Sequence, residues 1–158
     1  MDLTETDRII LALLQRSARE RLENIAFEAE ISVATVQRRV RTLKAEGYIE
    51  NDVALLSPDA LGFKMTFLVL VVLERERIDQ LDAFRRKVRN EPQVQQCYYV
   101  TGDADFALIA LARDMDDYQE LTQRLFFDDS NVKRFKTSVV MDRSKVSLDV
   151  PTGDYQKA

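Results

Sequence analysis

The sequence predicts an α+β chain in two parts, three helices followed by six elements in the order strand, helix, strand, strand, helix, strand. Three observations carry that reading. Apolar residues recur at helical spacing over the first fifty positions, β-rich runs alternate with two amphipathic stretches beyond residue 64, and Ser57-Pro58-Asp59 with Gly62 breaks the chain between them. In the first part, Thr4 and Asp7 stand at capping-box spacing ahead of Ile9, Ile10, Leu13 and Leu14, so a helix runs from about Glu5 to Ser17. Leu22, Ile25, Ala26 and Ala29 give a second helix of two turns. Ser32 is an N-cap for a third helix that places Val33, Val36, Val40 and Leu43 on one face, and Gly47 closes it.

In the second part, Met65–Leu73 reads as a strand and 77–90 as a helix with Ile78, Leu81 and Val88 at helical spacing. After Pro92 come a strand over 94–101, a tight turn at Gly102-Asp103 and a strand over 106–112. Asp114 caps a helix carrying Met115, Tyr118, Leu121 and Leu125, and a last strand covers 132–141. This βαββαβ order is the ferredoxin-like arrangement, an antiparallel sheet with both helices on one face. Phe67–Leu73 shows no polar alternation, which implies burial on both faces and a second subunit against the free one. The expected domains are 1–50, helical; 51–63, a linker strand and loop; 64–145, the sheet domain; and 146–158, a polar tail of low order.

Composition narrows the chemistry. The 158 residues carry 23 basic and 27 acidic side chains, no His, no Trp and one Cys. Without His, His-dependent triads and His-ligated zinc sites are excluded, and no activated nucleophile stands out. No catalytic residue, metal site or cofactor is expected, and Asp114, Asp116 and Asp117 at a helix start are explained by capping. Cys97, beside Tyr98 and Tyr99, reads as a packed thiol, and Tyr99 and Phe106 as core or interface residues. The polar N-terminus lacks the pattern of a signal peptide and the longest apolar run is too short for a bilayer, so the expectation is a cytoplasmic protein with no membrane partner.

Net acidity argues against nucleic acid, but the local pattern does not. Residues 1–50 hold 8 basic and 9 acidic side chains, whereas 33–44 hold four basic and none acidic. At 100° per residue, the face of the third helix opposite Val36, Val40 and Leu43 presents Ala34, Arg38, Arg41 and Ala45, flanked by Thr35, Gln37 and Thr42. A short helix, a tight connection and a second helix with a small, cationic outer face form a helix-turn-helix, here three-helix and winged-helix-like, whose second helix enters the major groove of double-stranded DNA. Arg38 and Arg41 suit guanine, Gln37 adenine, and Thr35 a phosphate or a thymine methyl. Ser32 and Ala34 stand at the leading edge, and Arg39, on the side of the helix, suits phosphate. A merely solvated cationic face is the competing reading.

The stretches Asp7-Arg8-Ile9-Ile10-Leu11, Ile31 to Leu43, Glu46-Gly47-Tyr48-Ile49 and Ala54-Leu55-Leu56-Ser57-Pro58 resemble the Lrp/AsnC (leucine-responsive/asparagine, feast/famine) family of transcriptional regulators. Cys97 to Phe106 resembles the family's turn, and Lys136 to Met141 its last strand. The resemblance covers about 3–145. It implies dimers assembled into octamers or larger, association with the nucleoid, and a response to small amino acids bound at the turn with help from a neighbouring subunit. On that basis Gly102, Asp103, Asp105 and Thr137 are carried over as effector-binding residues. The chain departs from the family where Glu30 replaces the glycine of the helix-turn-helix turn, which requires strain at positive φ or a different turn. Ala104 stands where an aromatic is common, Ser130-Asn131 replaces Pro-Gly, and Asn51-Asp52 alters the linker.

Two readings of Thr101-Gly102-Asp103-Ala104-Asp105 stand side by side. In one, the carboxylates bind an α-ammonium group while nearby N–H groups take the α-carboxylate. In the other, it is a hairpin turn whose aspartates cap the backbone. The expected function is a sequence-specific DNA-binding transcriptional regulator modulated by an amino acid. The alternatives are an amino-acid sensor using its helices for protein contacts, or a small dimeric ferredoxin-like enzyme.

Overall fold

The computed structural model describes residues 2–153. The chain forms two compact units, one from the described residues of Met1–Leu55 and Lys145–Ala158, the other Leu56–Ser144.

The first unit holds α1 (Glu5–Arg16), α2 (Leu22–Glu28) and α3 (Val33–Ala45) around Ile10, Ile25, Ala26, Val36 and Leu43. The capping box forms: Asp7 N–H donates to Thr4 Oγ1 at 3.2 Å, and Thr4 N–H donates to the Asp7 carboxylate at 2.9 Å. Ser32 Oγ accepts from Thr35 N–H at 3.2 Å and so fixes the start of α3. At its end, Tyr48 N–H donates to Leu43 O and Gly47 N–H to Lys44 O, with Gly47 at φ 78°, the Schellman arrangement in which only glycine sits without strain. Glu30 has φ 52°, so the α2–α3 turn keeps a left-handed backbone although a side chain occupies it.

After α3 the chain differs from expectation. Residues 49–57 contain no regular structure, so the expected linker strand is absent, and the likeness to a winged helix rests on the three helices. An extended segment needs a partner backbone to become a strand, and the described residues offer it none. The tail also differs. Val150 N–H donates to Gln15 Oε1 and Val150 O accepts from Gln15 Nε2, both at 3.1 Å, and Thr152 is buried. Part of the stretch expected to be of low order is therefore tied to α1.

The second unit holds β1 (Met65–Leu73), α4 (Ile78–Arg89), β2 (Val94–Tyr99), β3 (Phe106–Ala112), α5 (Met115–Thr122) with a π-helical turn over Gln123–Phe127, and β4 (Val132–Val139). The sheet order is β2-β3-β1-β4, antiparallel throughout, as the ferredoxin-like pattern requires. Phe67, Val69, Val71 and Leu73 pack with Leu81, Phe84 and Val88 of α4 and Tyr118, Leu121 and Leu125, so both helices cover one face. Burial on β1 therefore alternates. Leu68, opposite Ile109 and Ser138, is 38% exposed: within the chain the helices cover one side only, and the other side is the free face for which a second subunit is expected. Asp114 caps α5 through Asp117 N–H at 2.8 Å. Asp117 in turn accepts from Arg113 N–H, the Arg113 guanidinium and Gln93, and the hydrogen-bonded Arg113 holds its carboxyl below the usual carboxylate range.

Candidate nucleic-acid interface and effector turn

The outer face of α3 is built by its inner one. Burying Val36 and Leu43 fixes the rotation of the helix, and Ala34, Gln37, Arg38 and Arg41 are consequently exposed. Among the described residues, the side chains of Gln37, Arg38 and Arg41 have no hydrogen bond or ion pair within the protein, which leaves their donors available to a ligand. Ser32 Oγ and Thr35 Oγ1 lie 2.9 Å apart at the N-terminal tip. Lys44 is paired with Asp52.

Arg39 occupies a different environment. Its guanidinium reaches the fully buried Asp7 carboxylate, with N···O separations of 3.3 and 3.2 Å, and its side chain is only 33% exposed. Asp7 thus caps α1 and anchors α3 at once. Sequence reasoning found the cap and missed the anchor, because 32 residues separate the partners and nothing local to either signals the pairing.

The β2–β3 turn distributes its groups unevenly. Gly102 has φ 115°, a backbone that disfavours any side chain, and both it and Asp103 are exposed. Asp103 has no partner among the described residues. Asp105 points the other way: its carboxylate accepts from Leu73 N–H at 2.6 Å, while its own N–H donates to Val71 O and its carbonyl accepts from Val100 N–H. It caps the end of β1. Ala104 is buried beside it. Thr137 lies on β4 opposite Val69, with Oγ1 2.5 Å from the Tyr118 hydroxyl, and Tyr118 stacks on Phe67 at 3.7 Å between ring centroids. Burial raises the Tyr118 hydroxyl above its ordinary pKa, against the opposing effect of that hydrogen bond. Of the four expected effector residues, Gly102 and Asp103 are open, whereas Asp105 and Thr137 already hold internal partners.

One packing assignment changes: Cys97 is exposed on the edge strand β2. Tyr99, expected in the core or at an interface, is 49% exposed while its ring meets Phe106 at 5.3 Å. Among the described residues, no three His, Cys, Asp or Glu side chains group to hold a metal ion, and no helix is long and apolar enough to cross a membrane.

Known proteins share this architecture. Residues 3–44 match the AsnC-type helix-turn-helix domain and residues 66–150 the Lrp/AsnC ligand binding domain. An uncharacterized HTH-type transcriptional regulator of Sinorhizobium fredii is 44% identical over 151 residues, which cover 96% of this chain and 89% of the relative. The leucine-responsive regulatory protein of Escherichia coli is 31% identical over 146 residues, 92% of this chain and 89% of that one. A transcriptional regulator of Neisseria meningitidis, solved as a complex with L-methionine, superposes with a TM-score of 0.89 at 26% identity, covering 95% of this chain and 97% of its own. With both domain matches in order along one chain, the protein belongs to the Lrp/AsnC family and is a helix-turn-helix transcriptional regulator, not an enzyme.

Proposed function

We propose that the protein reads double-stranded DNA with the outer face of α3, as a self-associated assembly whose arrangement answers to a small amino acid. The observation that carries the first half is the acid-free, unpartnered face of Gln37, Arg38 and Arg41 beside the Ser32–Thr35 tip. Arg38 and Arg41 read base edges, Gln37 an adenine edge, and Ser32, Ala34 and Thr35 approach the backbone or a thymine methyl. Arg39 holds α3 against α1 and touches phosphate only with donors that Asp7 leaves over. A regulator built this way resides on the nucleoid.

Self-association is supported by the open side of the sheet, where Leu68, Leu70 and Val72 of β1 stand beside Ile109 and Ala107 of β3. A dimer and higher assemblies, octamers among them, bury that side and present several weakly charged heads to one duplex. The amino-acid response is supported by the exposed Gly102-Asp103 turn and by the L-methionine complex of the N. meningitidis relative. Asp103 takes the ammonium group and the turn's N–H groups the carboxylate, while Asp105 keeps the turn in shape and Thr137, bonded to Tyr118, plays no direct part in the turn.

The test is duplex binding followed over rising salt, with sequences selected from random DNA in the presence and absence of each amino acid. Affinity is expected to fall steeply with salt. Arg38→Ala should relax the selected sequence, and Asp103→Ala should remove the amino-acid effect on assembly size without changing it in the absence of ligand. No duplex binding even at low salt sinks the first half of the proposal, and an assembly indifferent to all twenty amino acids sinks the second.

A further inference from the structure

On the helix-covered side of the sheet, α4 and the edge strand β2 do not close on one another. They leave an open cleft of about 440 Å³, a size suited to a small organic molecule. The cleft and the Gly102-Asp103 turn are lined by different residues. Its floor is apolar, made by Val88, Val94 and the buried ring of Phe106. Its rim is cationic, because Arg85 and Arg89 stand one turn apart on α4 and both face the opening. No acidic residue lines it, although the whole chain carries a net charge of −4.

The two arginines are held differently. Arg85 bonds Asp82 through Nη1 at 2.8 Å and lies over the Tyr99 ring, 5.2 Å from its centroid, so its guanidinium is fixed with donors to spare. Arg89 has no partner among the described residues. Across from them, β2 supplies Gln96 and the Cys97 thiol. Partial covering by the cleft walls raises the pKa of the otherwise exposed Cys97 thiol, and the charge of Arg85 opposes that rise.

An apolar floor under two guanidinium groups, one paired with Asp82 outside the lining and the other unpaired, fits an anion attached to a hydrocarbon body. It fits a free amino acid less well, since the ammonium group would meet two like charges and no acid among the lining residues. We propose that this cleft is a second ligand site of the sheet domain, selective for a small organic carboxylate that bears an apolar body and no ammonium group.

Because Cys97 is the chain's single cysteine, it reports on occupancy directly. The full-length protein is labelled with a neutral maleimide in the presence of phenylacetate, L-phenylalanine or inorganic phosphate, each at about 10 mM, a concentration that fills a site of millimolar affinity. Phenylacetate is expected to slow labelling about fivefold or more. L-Phenylalanine and phosphate are expected to change it less than about twofold, since one lacks a counter-charge for its ammonium group and the other lacks an apolar body. In Arg85→Gln/Arg89→Gln, with rates referred to the same variant without ligand, protection should vanish while Tm is retained. In Asp103→Ala it should persist. Absence of protection by phenylacetate, equal protection by L-phenylalanine, protection undiminished in the double arginine variant, or protection lost in Asp103→Ala would each overturn the assignment. Calorimetric titration of phenylacetate into Cys97→Ser should give heat of binding without the thiol, and none in Cys97→Ser combined with Arg85→Gln/Arg89→Gln.

Discussion

The outer face of α3 and the β2–β3 turn are both short polar segments with charged residues at suggestive spacing, yet the fold treats them in opposite ways. On α3 the packing residues lie on one side, so the exposed arginines Arg38 and Arg41 keep their donors while Arg39 alone turns inward to Asp7. On the turn, two carboxylates two positions apart are divided between solvent and backbone: Asp103 is open and Asp105 holds Leu73 N–H. A helix separates its faces by rotation and can present a whole row of ligand-binding groups, whereas a tight turn must satisfy its own backbone first. Residue type therefore tells which chemistry is within reach, and hydrogen bonding tells which group is free to perform it.

The largest effect should come from the residue that makes the α3 face rigid. Asp7→Ala removes the carboxylate half of the α1 capping box and leaves the Arg39 guanidinium without its buried partner, and should cost the helical unit about 3 kcal/mol. Urea unfolding followed by helical circular dichroism measures it, and a loss within experimental error would mean that Arg39 is not an anchor. Next, Asp105→Ala orphans Leu73 N–H and should cost the sheet unit about 2 kcal/mol, while Asp103→Ala should cost about 0.5 kcal/mol or less. Equal costs would erase the contrast between the two carboxylates. The Asp117 cluster gives the pH counterpart. Its folded pKa is depressed, so its contribution is complete above the free carboxyl's 3.8 and is lost as pH falls through the lower folded value. Asp117→Asn should flatten the acid limb of the stability profile in that window.

Much of this was legible beforehand because it depends on local period and local geometry. The capping box of Thr4 and Asp7, the Ser32 cap, the Gly47 terminus and the limits of β1 and β3 follow from spacings of a few residues. The left-handed backbone at Glu30 was one of two outcomes required by losing a glycine there. What escaped was set at long range. The Arg39–Asp7 pair, the Leu73 N–H that occupies Asp105, and the Val150 bonds to Gln15 join residues 32, 32 and 135 positions apart. The exposure of Cys97 escaped for another reason: whether a strand is central or at an edge is a property of sheet order, which its own sequence does not carry.

A smaller effect separates reading from holding on α3 itself. Arg38→Ala should lower affinity for the preferred duplex by about 1–2 kcal/mol and leave random duplex nearly unchanged, since a base-edge contact carries sequence information. Arg39→Ala should weaken both duplexes alike and lower the stability of the helical unit, since a loosened α3 presents every contact less well. Parallel anisotropy titrations on the two duplexes, with Tm recorded for each variant, distinguish the roles. If Arg39→Ala leaves Tm untouched and weakens only DNA, its bond to Asp7 is incidental and phosphate is its true partner.

The smallest effect concerns Glu30, where the turn that aims α3 holds a side chain at φ 52°. A residue with a Cβ in the left-handed region costs about 1–2 kcal/mol, and glycine gives back part of the relief through its greater freedom in the unfolded chain, so Glu30→Gly should stabilise the helical unit by about 0.5–1 kcal/mol. The substitution also removes an acid from the approach to the duplex, which by itself raises affinity for any sequence. Glu30→Gln removes the same charge and keeps the Cβ. It should therefore reproduce the gain in DNA affinity with no gain in stability, and the difference between the two variants isolates the backbone. Equal stability in Glu30→Gly and Glu30→Gln would show that the turn accommodates its side chain without strain, and that Glu30 acts on the DNA-facing helix through charge alone.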